Sequence, residues 1–383
     1  MKACEHCELS NSTSCRNFAW KMQNDTYDSA TNSYIYSMLK YLLVVSILVC
    51  CNETFCQKKF LYGTVSDSSN SEKLFFVNVY INNSTIGTAT DEKGNYSIII
   101  PEGKHEIVFS LVGYRSQTIR ASSTADTIRM NIVLAPVSEK LASVTIEGSE
   151  DVEWRRLIGE FKSVFLGETK LAKYCEIVNP EYIDLRTDKI DGRRVLFAAC
   201  SRSIEVKNEA LGYKVLYDLH DFSSSSAWDR FKGSIYFIPL KAEDSRQDKF
   251  WRQNRLKAYK GSVCHLFKSI LDHQLKEQGF ALFVNEKGTN EVKGVFDIKP
   301  EDISPGPIAE TFRIRVPGEI QVHYNEYQGI DLQNSIITFP RRYVDVDKLG
   351  VVLDPADIIV SGDLASSRVS NLLPFDFRPA SDN

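Results

Sequence analysis

Residues 87–114 read GTATDEKGNYSIIIPEGKHEIVFSLVGY, and the fold of the N-terminal part of the chain turns on them. Two apolar runs are punctuated first by Asp-x-x-Gly and then by Pro-x-Gly. Gly94 supplies the positive φ that a turn after Asp91 needs, and the Asp91 carboxylate can accept from backbone N–H groups just ahead of it. Tyr96, Ile98 and Ile100 alternate and so share one face of a strand. Pro101 and Gly103 reverse the chain, and His105, Ile107, Phe109 and Leu111 return as the face of a second strand, closing on Gly113 and Tyr114. Each turn residue here has a conformational reason to be what it is. None brings a nucleophile, an acid–base pair or a metal ligand set.

The same pattern extends on both sides. From Phe60 to Pro136 short runs rich in Val, Ile, Phe and Tyr (FLYGTVS, LFFVNVYI, TIRMNIVL) are separated by DSSNSE, NNSTIG and SSTAD. Short strands at this spacing, without a helical period, predict an all-β sandwich. The residues Gly63, Val77, Val79, Gly87, Thr88, Thr90, Asp91, Gly94, Tyr96, Pro101, Gly103, Gly113 and Tyr114 together resemble the carboxypeptidase-regulatory-like domain. That is a transthyretin-type β-sandwich common in envelope proteins of the Bacteroidetes. Phe75 and Phe76 stand where the family usually has an apolar residue and proline. The resemblance covers roughly 75 residues and implies a non-catalytic module, found beside catalytic domains and ahead of TonB-dependent transporter plugs, with no enzymatic residues to carry over.

The chain has 383 residues, 43% apolar and 25% charged, which suits a globular protein of two or three domains. Its formal charge of −4 gives no general attraction to nucleic acid. After a polar stretch, residues 1–37, the run MLKYLLVVSILVCCNETFCQ has a positive flank at Lys40, an apolar segment of about eleven residues at Tyr41–Cys51, and small residues at Thr54 and Cys56. This is a signal-peptide layout and is too short to span a bilayer. It predicts export from a start at Met38, with 1–37 a non-native extension, 38–56 the signal and no transmembrane helix in the mature chain. The expected location is the periplasm or the outer membrane. Lipid attachment at Cys50 or Cys51 is disfavoured, because Val49 and Cys50 stand where a small residue is wanted. The Cys4, Cys7 and Cys15 cluster has no second Cys/His pair at zinc-finger spacing, and Cys175, Cys200 and Cys264 form no disulfide framework.

The domain plan that follows is a sandwich over 57–136, a linker strand over 137–150 and an α+β domain over 151–383. In the last, Leu157, Ile158, Phe161, Val164 and Phe165 sit at helical spacing, strands follow through Leu240, and two helices (RQDKFWRQNRLKAYK and SVCHLFKSILDHQLKEQ) are separated by Gly261 and capped by Ser262. GDLASSRVSNLLP reads as a last short helix stopped by Pro374. NEALGYKVLY (208–217), WRQNRLKAYKGS (251–262), His265 and Leu372–Pro374 resemble the region that follows this sandwich in a family of Bacteroidetes proteins. That resemblance implies no activity.

Four constellations invite chemistry. His323-Tyr324-Asn325-Glu326 has the His-x-x-Glu spacing of a zinc carboxypeptidase, but no histidine follows it to complete three ligands. Asp218 and His220 would share one face of a strand beside Asp221; the plainer reading is a polar strand end. Cys264 and His265 are adjacent on a helix and point about 100° apart, so they cannot engage each other. In WRQNRLKAYKGS, Trp251, Arg255 and Tyr259 fall four apart and Arg252 adds charge, a stripe suited to an acidic partner, though the plainer reading is a structural helix whose Trp is core and whose Arg residues pair with local Asp and Glu. No catalytic residue, cofactor site or metal site is assigned. The functional expectation is a non-catalytic envelope protein that binds another envelope protein through Trp251, Arg252, Arg255 and Tyr259. The alternatives are a glycan-binding protein and a hydrolase with an unrecognised site.

Overall fold

The computed structural model describes residues 59–379, apart from 102–103, 123–126, 138–147, 286–291, 308–309, 326–332, 355–356 and 367. The signal segment, its cysteines, most of the expected linker strand (138–147), Gly103 and Glu326 lie outside the described residues, and the end of that expected linker, 148–150, is the start of a helix instead.

The expected sandwich is present. Its strands are β1 (Lys59–Asp67), β2 (Asn78–Ile81), β3 (Gly87–Ala89), β4 (Asn95–Ile100), β5 (Lys104–Ser110), β6 (Gln117–Ser122), β7 (Thr127–Arg129) and β8 (Ile132–Leu134). They form two four-stranded sheets, one centred on β1 with β4, β7 and β8, the other in the order β3-β2-β5-β6. The opening stretch does what its residues dictate. Asp91 Oδ1 accepts from the backbone N–H groups of Lys93 and Asn95 at 2.9 and 2.8 Å, and Gly94 sits at φ +70°. Gly113, at φ +87°, starts the turn that lets the Tyr114 hydroxyl donate to Asp67 Oδ2 at 2.6 Å. Leu61, Val65, Val79, Tyr96, Ile98, Ile107 and Phe109 fill the space between the sheets.

The second region opens with helix α1 (Gly148–Leu166) and continues through β9 (Cys175–Ile177), β10 (Ile183–Ile190), β11 (Arg193–Cys200), β12 (Ile204–Asn208), β13 (Tyr213–Ser225) and β14 (Asp229–Pro239). The strands make one sheet in which β13 pairs with β11 and β12 on one side and with β14 on the other. Helix α1 lays Phe161 and Phe165 on Tyr217, Phe222 and Phe231. Helices α2 (Ser245–Tyr259) and α3 (Val263–Leu271) follow, with Ser262 Oγ capping α3 at the His265 N–H. The rest is β: β15 (Phe280–Asn285), β16 (Val292–Val295), β17 (Ile303–Pro305), β18 (Thr311–Arg315), β19 (Glu319–Tyr324), β20 (Gln333–Thr338), β21 (Tyr343–Asp347) and β22 (Ile359–Gly362). Two sheets, β16-β15-β19-β20-β22 and β17-β18-β21, enclose a separate apolar cluster with α3. The last helix expected from GDLASSRVSNLLP is instead two 3₁₀ turns, Asp363–Ser366 and Val369–Asn371. Small polar side chains there compete for the backbone, and Val369 drops into the α1 core.

The sandwich is joined to the second sheet through the β2–β3 turn. Asn83 N–H donates to Ile235 O at 2.7 Å, Phe237 N–H to Ser84 O at 2.9 Å, and Ile235 N–H to Asn82 Oδ1 at 2.9 Å, so the turn covers the outer edge of β14. Tyr80 stacks on Tyr236 with centroids 4.8 Å apart. The C-terminal tail comes back to the same turn: Phe375 N–H donates to Asn83 O, Phe375 packs on the sandwich core, and Asp376 accepts from the N–H and hydroxyl of Thr85. Gly87 is where the fit is tightest, since a Cβ there would lie 2.5 Å from the Tyr236 ring. Gly87→Val is therefore expected to lower unfolding stability by about 1–3 kcal/mol, read from the urea midpoint of the whole chain.

Candidate functional site

Helix α2 carries the stripe expected to bind a partner, and most of it faces inward. Trp251 is buried and its Nε1–H donates to Glu209 O at 2.8 Å. Asn254 Nδ2 donates to Ala210 O at 3.1 Å. Arg255 donates from Nε to Leu211 O at 2.6 Å and from Nη2 to Gly212 O at 3.2 Å, with its guanidinium 4.3 Å from the Tyr213 ring centroid. Four consecutive carbonyls of the β12–β13 turn are thus each met by a donor from α2. Gly212, at φ +68°, lies against the indole, where a Cβ would come within 2.3 Å. Burial pulls the Arg255 guanidinium below its ordinary value, and its contacts to carbonyls bring no countercharge. Tyr259 is half-buried between His265 and Phe377. Arg252 stays on the surface, paired with Asp248 at 2.7 Å.

Other candidates separate. Cys264 Sγ donates to Leu349 O at 3.2 Å, while His265 accepts the Gly261 N–H on Nδ1 at 3.0 Å and places Nε2 3.1 Å from Gln278 Oε1. Burial pushes the thiols of Cys175, Cys200 and Cys264 up to about 12, so at neutral pH they are protonated and weakly nucleophilic. His323 lies on β19 against Phe283. Among the described residues no group of three or more His, Cys, Asp or Glu is placed to hold a metal ion.

One constellation does come together. The β11–β13 ladder ends at Phe197↔Ser223, and the β12–β13 ladder begins at Ile204↔Tyr217, so residues 218–222 of β13 have no strand partner on that side. On the other side the β13–β14 register slips between Leu219 and Asp221, which makes His220 the extra residue of a bulge. The slip breaks the alternation that the sequence implied for Asp218 and His220. The opening between β11 and β13 is a groove of about 360 Å³, with Asp184 and Arg186 from β10, Cys200 from β11, and His220 and Asp221 from β13 on its walls. The Arg186 guanidinium lies 4.6 Å over Phe197. Asp218 Oδ2 is buried without a hydrogen-bond partner among the described residues, and Asp218 adds to burial, the larger cause, in raising both Cys200 and Tyr80. Sequence reasoning found Asp218, His220 and Asp221. It missed Asp184, Arg186 and Cys200, which reach the groove through register across the sheet. The groove thus brings together both charge signs, an imidazole and a stretch of β13 without a strand partner on that side.

Residues 61–146 match the CarboxypepD_reg-like domain family. The chain is 26% identical over 126 residues to TonB-dependent receptor P3 of Formosa agariphila, a stretch that covers 33% of this chain and 12% of the receptor. It is 26% identical over 123 residues to TonB-dependent receptor SusC of Bacteroides thetaiotaomicron, covering 32% and 12%. Among solved structures, a type II cohesin–X-dockerin complex from Acetivibrio cellulolyticus aligns with 26% of this chain and 73% of its own, at 16% identity and a TM-score of 0.20. No helix among the described residues is long and apolar enough to cross a membrane.

Two outcomes follow from the α2 and α3 contacts. Arg255→Ala strips donors from two turn carbonyls and should lower stability by about 1–3 kcal/mol, whereas Arg252→Ala removes only a surface pair and should leave the urea midpoint in place. His265 is held below its ordinary value of 6.5, chiefly by burial. The unfolded state therefore takes up its proton first, so the stability His265 contributes is complete above that value and is lost as the pH falls through it. Urea midpoints between about pH 7.5 and pH 5 should fall more steeply for the natural chain than for His265→Asn.

Proposed function

We propose that this chain is an exported, non-catalytic protein of the cell envelope, periplasmic or held at the outer membrane, whose α+β region binds a second envelope protein. In this reading 38–56 directs export, 57–136 is the sandwich module, 137–147 the linker and 148–383 the interacting region, with lipidation at Cys50 or Cys51 disfavoured. Support for the envelope comes from the module, a non-catalytic one, and from relatives that are TonB-dependent receptors.

The observation that carries partner binding is the interrupted ladder. Residues 218–222 offer backbone donors and acceptors along one side of β13, and an extended segment of a partner can add to them as a strand adds to a sheet edge. Asp184, Arg186 and Asp221 then select the charges flanking that segment. Within the α2 stripe, Arg252 is the member available to a partner, since Trp251 and Arg255 hold the β12–β13 turn. A photo-crosslinking residue placed at His220, with the full chain expressed in its own envelope, should yield a discrete adduct to one envelope protein. Adding Arg186→Ala and Asp221→Asn should cut that adduct several-fold, while Arg252→Ala reports on the stripe. Undiminished adduct with the groove variant, or none at all in the natural background, overturns the groove as the binding site.

A further inference from the structure

The β15–β22 sheet turns one face to its core through Leu282, Ile320, Val322 and Ile337. Its other face is built from a different kind of residue. In register, Phe283 stands opposite Gln321, Gln321 opposite Ile336, and Ile336 opposite Ser361, a row across four strands that spans about 14 Å. Beside it His323 stands opposite Asn334, and the His323 and Phe283 rings lie 4.6 Å apart. The row borders a depression of about 370 Å³. Gly362 keeps the end of it open: at φ +80° it sits so close to β20 that a Cβ would meet Asn334 O at 2.4 Å.

We propose that this face is a binding site for a neutral glycan. The side chains facing the depression are two amides, an imidazole, the Ser361 hydroxyl and an isoleucine, with no carboxylate, ammonium or guanidinium among them; Ser335 is buried and its hydroxyl accepts the Leu364 N–H. The nearby carboxylates are engaged within the protein: Glu319 accepts from the Thr338 hydroxyl, and Asp363 from the Asn334 N–H at 2.7 Å. Amides and hydroxyls both donate and accept, which matches sugar hydroxyls that do the same. Phe283 and Ile336 offer apolar surface to the C–H face of a pyranose. An anionic ligand would find no cationic side chain in the lining and would lose hydration without recompense. The length of the row suits a short run of sugar units rather than one. This inference does not depend on the β11–β13 groove, which lies in the other sheet.

The test is affinity electrophoresis of the full chain through gels containing, in turn, a neutral α-glucan, a neutral β-mannan, a neutral xylan, and the uronate polymers alginate and polygalacturonate. At least one neutral polymer should retard the protein and the uronate polymers should not. Gln321→Ala with Asn334→Ala should weaken that retardation roughly tenfold, the loss expected for two amides. Ile336→Lys, a change at an exposed centre of the row, should abolish it without moving the melting temperature. Arg186→Ala, in the groove, should leave it intact. No retardation in any neutral gel, preference for the uronates, or equal retardation by both face variants overturns the proposal.

Discussion

The turn at residues 82–86 is the constraint on which the arrangement of the described regions rests. It is a sandwich turn, yet its backbone is hydrogen-bonded on one side to β14 and on the other to the returning tail at Phe375 and Asp376. An edge strand left open is a template for unwanted pairing, and here the neighbouring module closes it. The same contact explains a departure from simple alternation in β2 and β5. Tyr80 and Val108 point away from the sandwich core and stand opposite each other in register, but both are buried. The second face of their sheet is an internal surface, and Tyr80 spends it on Tyr236.

Legibility in the sequence followed the range of the physics. The sandwich could be read because its turns are local: Asp91 bonds to Lys93 and Asn95, and Gly94 answers a φ requirement within the same turn. The Ser262 cap and the alternation of Tyr96, Ile98 and Ile100 were legible for the same reason. The role of α2 was not. Arg255 satisfies carbonyls 43 and 44 residues earlier, and an amphipathic stripe of Trp and Arg looks the same whether its partner is another protein or the chain's own turn. The two segments whose resemblance to a known C-terminal region had no explanation, 208–217 and 251–262, are the two halves of that one clamp.

The groove was half legible. Composition flagged Asp218, His220 and Asp221, but a bulge is invisible to a period-two reading, and the strands that bring Asp184, Arg186 and Cys200 alongside are fixed by register over tens of residues. The thiols illustrate the complementary point. Their spacing suggested only that they were not a disulfide set; their chemistry is set by depth, which holds all three protonated at neutral pH. His265 likewise belongs to the architecture of the α2–α3 corner, where its ring takes the Gly261 N–H that a helix turn would otherwise leave unmet.

The tail that returns to Thr85 has a bearing on time as well as on place. The bond from Thr85 to Asp376 closes a separation of 291 residues. A contact of that span is formed late, after the intervening strands have found their partners. A chain emerging from a ribosome or a translocation channel therefore displays the sandwich with the β2–β3 turn still unlatched until residues 375 and 376 have been made. The sandwich is completed only when a segment nearly three hundred residues further along is present.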